Sequence, residues 1–147
     1  WFMAGAGLLE IDDSGRRGVA LPRVGATYWP HRVNFERIRG TTLDWRILCP
    51  GPMVDQQALG LAAMRTSVDR LPVSVAALAR GLPGALFLPV LAYLIPQMIV
   101  PYADAAALML ANLAPGGRMS RHRVGLALPE GMRGKKEQWA AQPKHAG

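Results

Sequence analysis

The stretch TTLDWRILCPGPMVD, residues 41–55, joins a strand pattern directly to a loop pattern. Apolar side chains stand at every second position, at Leu43, Trp45, Ile47 and Cys49. A period of two is typical of an extended strand with one buried face. Pro50-Gly51-Pro52 follows at once and makes a loop with little bulk and few backbone donors. We therefore predict a buried strand over 43–49 that ends in an open turn.

Helix and strand patterns alternate on either side of this strand. We predict a loop over 8–27 and a helix over 29–39, with Pro30 in its first turn and Trp29, Val33, Phe35 and Ile38 available to the core. A second helix is capped by Asp55 and runs to about Arg70, and a third over 102–113 is apolar nearly all round and therefore buried. The last predicted element is a strand over 121–128 with Val124, Leu126 and Leu128 on one side. Alternation of this kind indicates an α/β fold with a mostly parallel sheet.

Composition limits the classes of function that the chain can have. It has 147 residues, half of them hydrophobic, and a net charge of +7, which fits one core-forming domain or a piece of a larger one. The stretch from Gly117 to the end carries seven basic residues against two acidic ones, so it contributes most of that charge. A basic tail can bind phosphates, but no aromatic ladder or zinc-ligand spacing accompanies it. We expect no nucleic-acid partner and a solvated tail over 129–147.

Cysteine and histidine give no sign of a disulfide framework or a metal site. The single cysteine, Cys49, lies on the predicted buried strand face, which indicates a core residue in a protein of a reducing, cytoplasmic compartment. The three histidines are His31, His122 and His145, and they share no ligand spacing. His122, between arginines at a predicted strand edge, is expected to be solvated. We assign no metal.

The first residues, WFMAGAG, are typical of the end of a buried strand followed by a turn at Gly5-Ala6-Gly7. A dinucleotide fingerprint would need a third glycine at position 10, which is Glu10, and a helix directly after the turn. We therefore interpret these glycines as a turn after a strand. Because ligands of parallel sheets bind beyond the carboxyl ends of the strands, this turn and the turn after 43–49 are candidate ligand contacts. A rigid turn without a ligand is the alternative.

Residues 81–103 contain no charged side chain. About 20 apolar residues can span a bilayer, but Pro83, Pro89, Pro96 and Pro101 would interrupt a straight helix repeatedly. We predict two short apolar helices that form a lid or a substrate wall. Membrane contact and a partner interface are the alternatives.

The residues 41–55 resemble a segment of NAD(P)-binding proteins of the atypical short-chain dehydrogenase/reductase group, NmrA-like branch. Other pieces follow in that family's order: WFMAGAG, the helix HRVNFERIRG, IVPYADAAALMLANL with Asp104 at the family's Asp, and RHRVGLAL. The resemblance covers most of the chain except about 60–97. It implies the C-terminal part of a Rossmann-like domain over 1–128, with an apolar helical insertion at about 60–97. It also leads us to expect the glycine-rich phosphate loop in the reading frame before Trp1.

The resemblance further implies a cofactor, NAD or NADP, and a set of site residues. The cofactor-binding candidates are Ala4, Gly5, Pro50, Gly51, Pro52 and Met53. The catalytic candidates are Tyr28 and Arg32, which stand where the group has its Tyr-x-x-x-Lys pair, and His31 as another proton donor. An interface tyrosine without chemistry is the alternative for Tyr28.

The chain departs from the family at catalytic positions. Ala4 or Gly5 replaces the family's serine and Cys49 its arginine before the proline, and the arginine of the pair cannot itself deprotonate. The predicted function is therefore an NAD(P)-binding oxidoreductase-like protein with a small-molecule substrate that the sequence does not identify. The alternative is a membrane-associated protein on a non-catalytic version of the fold. The oligomeric state stays open.

Overall fold

A computed structural model of the chain describes residues 1–21, 24–76, 79 and 81–135. Its main sheet contains four strands in the order β1-β2-β6-β4. The strands of the chain are β1 (Phe2–Met3), β2 (Arg46–Leu48), β3 (Met53–Val54), β4 (Arg65–Val68), β5 (Val100–Pro101) and β6 (His122–Ala127). Strands β1, β2 and β6 run parallel, whereas β4 is antiparallel to β6. Strands β3 and β5 form a separate parallel pair.

Three α-helices accompany these strands in the described part of the chain: α1 (Val24–Arg39), α2 (Gly84–Leu94) and α3 (Tyr102–Ala111). Short 3-10 helices lie at Ala6–Leu8, Gly18–Ala20 and Ile95–Met98. The molecule is thus a mixed α/β structure with a mostly parallel sheet, which confirms the coarse prediction of the fold class. None of the described helices is both long enough and apolar enough to cross a membrane.

Two apolar cores lie on the two faces of the sheet. Ile47 and Cys49 pack with Phe35 of α1 and Phe87 of α2, whereas Leu48 belongs to the core that contains α3. The single buried face predicted for 43–49 is therefore wrong, because helices cover both faces of this parallel sheet. Leu43 lies outside the strand and is exposed. Val124, Leu126 and Leu128 do share one core, as predicted.

The predicted helix from Asp55 to about Arg70 is wrong. Residues 55–60 have no regular structure, Asp55 is exposed, and Arg65–Val68 is the edge strand β4. Pairing with β6 decides this, since Thr66 and Val68 lie opposite Leu126 and Val124. Strand formation here depends on a partner strand more than fifty residues away, and the local sequence pattern carries no information about that partner. The region 60–97 is consequently not helical throughout, because its first part belongs to the sheet, whereas Gly84–Leu94 is helical.

Boundaries and exposure differ at three further elements. Helix α1 begins at Val24 instead of residue 29, so Pro30 lies inside it and the predicted loop 8–27 is shorter. Trp29 is exposed, whereas Phe35 is buried, because six residues along a helix lead to another side of it. The helix 102–113 ends at Ala111 and is buried on one side only, with Leu110 and Leu113 exposed.

Strand β1 and His122 also lie in other environments than predicted. Strand β1 is the sheet's edge, and both of its residues are exposed, so it is not a buried strand. His122 begins β6, which lies between β2 and β4 rather than at an edge. Position in the sheet is set by strand order, and strand order follows from long-range pairing.

Candidate functional site

The turns after β1 and β2 lie side by side at the carboxyl ends of these parallel strands. The amide of Ala4 donates to the Leu48 carbonyl at 2.9 Å, and the amide of Ala6 donates to the Pro50 carbonyl at 2.9 Å. The two cofactor-binding candidates of the first turn, Ala4 and Gly5, thus lie next to the four candidates of the second turn. The Gly5-Ala6-Gly7 turn leads into a three-residue 3-10 helix rather than an α-helix. It therefore lacks the helix N-terminus with which a phosphate loop binds pyrophosphate.

Two glycines of these turns lie in close approaches to other segments, and the closer approach, at Gly51, requires a glycine. A Cβ atom at Gly5 would lie 3.3 Å from Cε1 of Tyr28, so the bare backbone gives the tyrosine ring its space. A Cβ atom at Gly51 would lie 2.5 Å from the Met98 carbonyl oxygen. Gly51 is therefore needed for packing of the turn against the segment 95–98, whatever ligand the turn also contacts.

A cavity of about 340 Å³ opens at these turns. The turns form one wall, and α1, α2 and the 3-10 helix 95–98 form the others. The lining residues are Ala4, Gly5, Ala6, Gly7, Ile11, Gly18, Val24, Tyr28, His31, Pro50, Gly51, Pro52, Met53, Leu71, Leu91, Ile95 and Met98. All six cofactor-binding candidates and two of the three catalytic candidates are among them.

Tyr28 and His31 of α1 provide the polar side-chain atoms of the cavity wall. They lie one turn apart on α1, and their rings stack with centroids 5.8 Å apart and planes inclined by 24°. Within the described part of the chain, neither the Tyr28 hydroxyl nor the His31 ring nitrogens hydrogen-bond to a protein group. Both side chains are only partly covered, so their polar atoms are available to a ligand.

Arg32 does not join this cavity. It lies next to His31 on α1, but its side chain is exposed and it is not part of the cavity wall. The structure therefore brings Tyr28 and His31 together and leaves Arg32 outside.

Sequence reasoning missed the opposite wall of the cavity. Leu91 of α2, Ile95 and Met98 face the turns, and the sequence placed them only in a general lid or wall segment. The available signal was the uncharged run 81–103 with its regularly spaced prolines. Its α-helical part is α2, and the second short helix predicted there is the 3-10 helix 95–98.

An ionic cluster that the sequence did not indicate lies beside the α1 core. The Arg123 cluster, as we call it, consists of Arg123, Asp69, Glu10 and His122. The nearly buried Arg123 guanidinium donates to Asp69 Oδ1 at 2.9 Å, to Glu10 Oε1 at 2.8 Å and to the Leu8 carbonyl at 2.7 Å. His122 Nδ1 lies 2.5 Å from Asp69 Oδ2, so His122 is paired rather than simply solvated.

Asp69 is held in this cluster by its backbone and by its charge. Its φ of 61° lies in the left-handed region, which Asp tolerates better than most residues do. Burial would raise the pKa of its carboxyl, but hydrogen bonds from the Arg123 amide and His122 and the Arg123 charge outweigh burial and lower the pKa. Asp69 is thus an ionised partner of Arg123, with a structural role.

Asp104 anchors the loop that follows β3. Its buried carboxylate accepts hydrogen bonds from the amides of Leu59 and Gly60, both at 2.8 Å. The carboxylate lies in the first turn of α3, where the helix dipole also favours negative charge. The aspartate that carries part of the family resemblance therefore fixes a loop.

Neither Cys49 nor a metal site adds chemistry to the described part of the chain. Burial raises the pKa of the Cys49 thiol to about 12, so the group is a neutral core residue. Among the residues that the structure describes, no three His, Cys, Asp or Glu side chains are grouped as metal ligands would be. His145 and the tail from 136 lie outside the described residues.

Comparisons with known proteins give one structural relative of interest. No protein-family model and no curated protein sequence matches the chain. The fold is similar to that in the crystal structure of a "Putative exported protein" from Burkholderia pseudomallei, with a TM-score of 0.56 and 18% sequence identity. The match covers 85% of this chain and 52% of that chain, so the chain spans about half the length of that relative. At this identity the likeness concerns the fold alone.

Proposed function

We propose that the chain is the nicotinamide-facing part of a Rossmann-like, NAD(P)-binding oxidoreductase domain that acts on a small molecule. The observation that carries the proposal is the cavity at the adjacent carboxyl ends of β1 and β2. Open α/β sheets bind ligands outside the carboxyl ends of their strands. Eight of the nine candidate site residues line this one cavity, although they come from three separate segments of the chain.

The residues in the cavity fit the flat end of a dinucleotide. Pro50, Pro52 and Met53 offer apolar surface against which a nicotinamide ring can lie. Ala4 and Gly5 in the neighbouring turn have small side chains or none, so they leave space for the ring. When bound, the cofactor would supply a hydride. Tyr28 or His31 would donate a proton to the substrate oxygen, because both line the same wall and their polar atoms have no protein partner among the described residues. Arg32 lies outside the cavity wall and would act only through its charge.

Ligand titration followed by NMR tests the cofactor part of this proposal. Reduced nicotinamide mononucleotide is the suitable probe, since the turn 5–7 is not a phosphate loop. We expect shifts of the amides of Gly5, Gly7, Gly51 and Met53. Gly5→Val should abolish these shifts, because the new side chain crowds Tyr28 and fills space at the cavity wall.

Gly81→Val is the matched control, since nothing lies within 4 Å of a Cβ atom at Gly81 and it is outside the cavity. Equal loss of binding in both variants, or shifts confined to other parts of the chain, would contradict the proposal. The cytoplasmic location and the choice between NAD and NADP stay predictions.

Catalysis is tested by Tyr28→Phe and His31→Gln, made separately in protein that reduces its substrate and still binds cofactor. General acid assistance contributes about 10²- to 10⁴-fold in rate, so one variant should lose hydride-transfer rate by that factor. Tyr102→Phe is the control, because Tyr102 is an exposed tyrosine at the start of α3 outside the cavity. If neither variant changes the rate, the chain is a binding scaffold instead.

A second candidate function, docking to a membrane surface by a non-catalytic scaffold, is favoured by the outer side of α2. Leu86 and Tyr93 are exposed there to 60% and 66%, on a helix without a charged residue. The Arg133 guanidinium lies 4.3 Å from the centroid of the Tyr93 ring. Aromatic and cationic side chains of this kind suit a lipid interface.

Co-sedimentation with phosphatidylcholine vesicles that contain phosphatidylserine distinguishes this candidate. Leu86→Asp should release the chain from the vesicles, whereas Leu110→Asp should not, because Leu110 is equally exposed but belongs to α3 on the opposite face of the sheet. Failure of the wild-type chain to sediment with vesicles removes the second candidate and leaves the first untouched.

A further inference from the structure

The polarity of the cavity wall limits what can bind beside the cofactor ring. Among the residues that the structure describes, none that lines the cavity is an Asp, Glu, Lys or Arg. A charged group inside it would lose hydration and would find no Asp, Glu, Lys or Arg side chain of the described wall to pair with, which is costly. The buried part of any ligand is therefore expected to be neutral.

Polar side-chain contacts come from one side only. Tyr28 and His31 can each donate a hydrogen bond, whereas Leu91, Ile95 and Met98 on the opposite wall are apolar. A ligand that fits this asymmetry has one acceptor oxygen toward α1 and an apolar body toward α2. The phenolic hydroxyl donates well to a carbonyl oxygen.

The volume also restricts the ligand. Pockets for small molecules are about 300–1,000 Å³ in size, and the cavity lies near the lower end at about 340 Å³. A nicotinamide ring takes part of this space, so the remainder suits a compact body such as one ring or a short branched chain.

We propose that the substrate is a small, neutral, largely apolar carbonyl compound whose apolar body contacts Leu91 and Ile95. The inference rests on the proposed function for its chemistry. Hydride from the reduced nicotinamide would form the new C–H bond at the carbonyl carbon while the C=O π bond breaks. The oxygen takes a proton from Tyr28 or His31, so the carbonyl is reduced by two electrons and the nicotinamide is oxidised.

Leu91 and Ile95 are the specificity-determining residues in this arrangement. Both are only partly buried, and they lie on the inner side of α2 and the segment that follows it. Leu86, on the outer side of the same helix, provides a matched position that does not face the cavity. A charge introduced at 91 should change ligand preference, whereas the same charge at 86 should not.

The test compares two ligands that differ by one carboxylate, acetophenone and 4-acetylbenzoate, by NMR titration of the chain. We expect acetophenone to shift the amides of the turns at 5–7 and 51–53 and to bind about tenfold or more tightly than 4-acetylbenzoate. Leu91→Lys should reverse this preference, since a lysine can extend its ammonium group to the ligand's carboxylate. Leu86→Lys should keep the wild-type preference.

Equal or tighter binding of 4-acetylbenzoate to the wild-type chain overturns the inference, and this comparison needs no variant to fold. The same change of preference in Leu86→Lys also overturns it. The cofactor proposal fails separately: if acetophenone binds as expected but reduced nicotinamide mononucleotide does not shift the turn amides, the apolar site stands without the dinucleotide. If the mononucleotide binds but the chain does not bind acetophenone more tightly than 4-acetylbenzoate, only the proposed substrate class is wrong.

Discussion

The polar side chains of the Arg123 cluster are paired with protein groups, whereas those of the cavity are not paired within the described part of the chain, although both regions border the α1 side of the sheet. In the cluster, the Arg123 guanidinium donates to two carboxylates and a carbonyl, and it stacks on Phe35 at 5.0 Å from the ring centroid. In the cavity, Tyr28 and His31 contact each other through their rings, and their polar atoms have no protein partner in the described part of the chain.

This difference separates structural groups from groups that are available for binding. A buried charge whose partners are all inside the protein stabilises one arrangement, and its removal leaves uncompensated partners behind. An unpaired polar group at a cavity costs little while water reaches it, and it can exchange that water for a ligand. We therefore expect changes in the cluster to reduce stability and changes in the cavity to reduce binding.

The largest effect should follow from Arg123→Ala. Asp69 and Glu10 would lose their buried partner, and breaking such a pair costs about 3–5 kcal/mol in the free energy of unfolding. Urea denaturation measures this loss. Arg37→Ala, at an exposed position of α1, should stay within about 0.5 kcal/mol of wild type. Similar values for the two variants would mean that the cluster is no more important than surface charge.

Asp104→Asn should have the next largest effect. The amide side chain keeps only one acceptor oxygen for the two amides of Leu59 and Gly60, so a charge-assisted hydrogen bond worth about 1.5–3 kcal/mol is at risk. Hydrogen exchange at these two amides should accelerate. Asp55→Asn is the control, since Asp55 is an exposed residue near the same loop. Unchanged exchange in Asp104→Asn would show that the loop is held by other contacts.

Acid should weaken the Arg123 cluster through Asp69. Its pKa is lower in the folded chain than the ordinary value. The stability it contributes is therefore present above the unfolded pKa of about 3.9 and is lost as pH falls through the folded pKa. We expect the difference in unfolding free energy between wild type and Asp69→Asn to be clear at neutral pH and to shrink in acid. A difference that stays constant would rule out this linkage.

The smallest effect on stability should come from Tyr28→Phe. The hydroxyl has no protein partner within the described residues, so its loss should change the unfolding free energy by less than about 0.5 kcal/mol. Acetophenone binding should nevertheless weaken, because the ligand loses its donor. A large loss of stability without a loss of binding would reverse the comparison between the two regions.

Agreement between sequence and structure depends on the range of the interactions involved. The helix near 102–111 and the strand 122–127 were predicted within a few residues, because their apolar patterns and flanking glycines and prolines are local. Strand β4 was predicted as a helix, since only its pairing with β6 makes it a strand. The turns at 4–7 and 49–53 were identified as candidate ligand contacts from their glycines and prolines, their position at predicted strand ends and the family resemblance.

The inner wall of the cavity could not be located from sequence. Leu91, Ile95 and Met98 lie more than thirty residues from either turn, and only packing of α2 on the sheet brings them opposite. Arg32 shows the reverse case. The spacing of the family pair placed it with Tyr28, but the rotation of α1 leaves its side chain outside.

The sequence by itself determined most of the alternation of helices and strands, the α/β class with a mostly parallel sheet and the two turns that end β1 and β2. These follow from local periodicity and from the backbone limits of glycine and proline. The tertiary structure alone decided that β1 is an edge, that Arg123 and Asp69 meet, and that an uncharged wall closes the cavity. The physical reason is that burial and ion pairing depend on which distant segments come together, and their free energy appears only after the chain has packed.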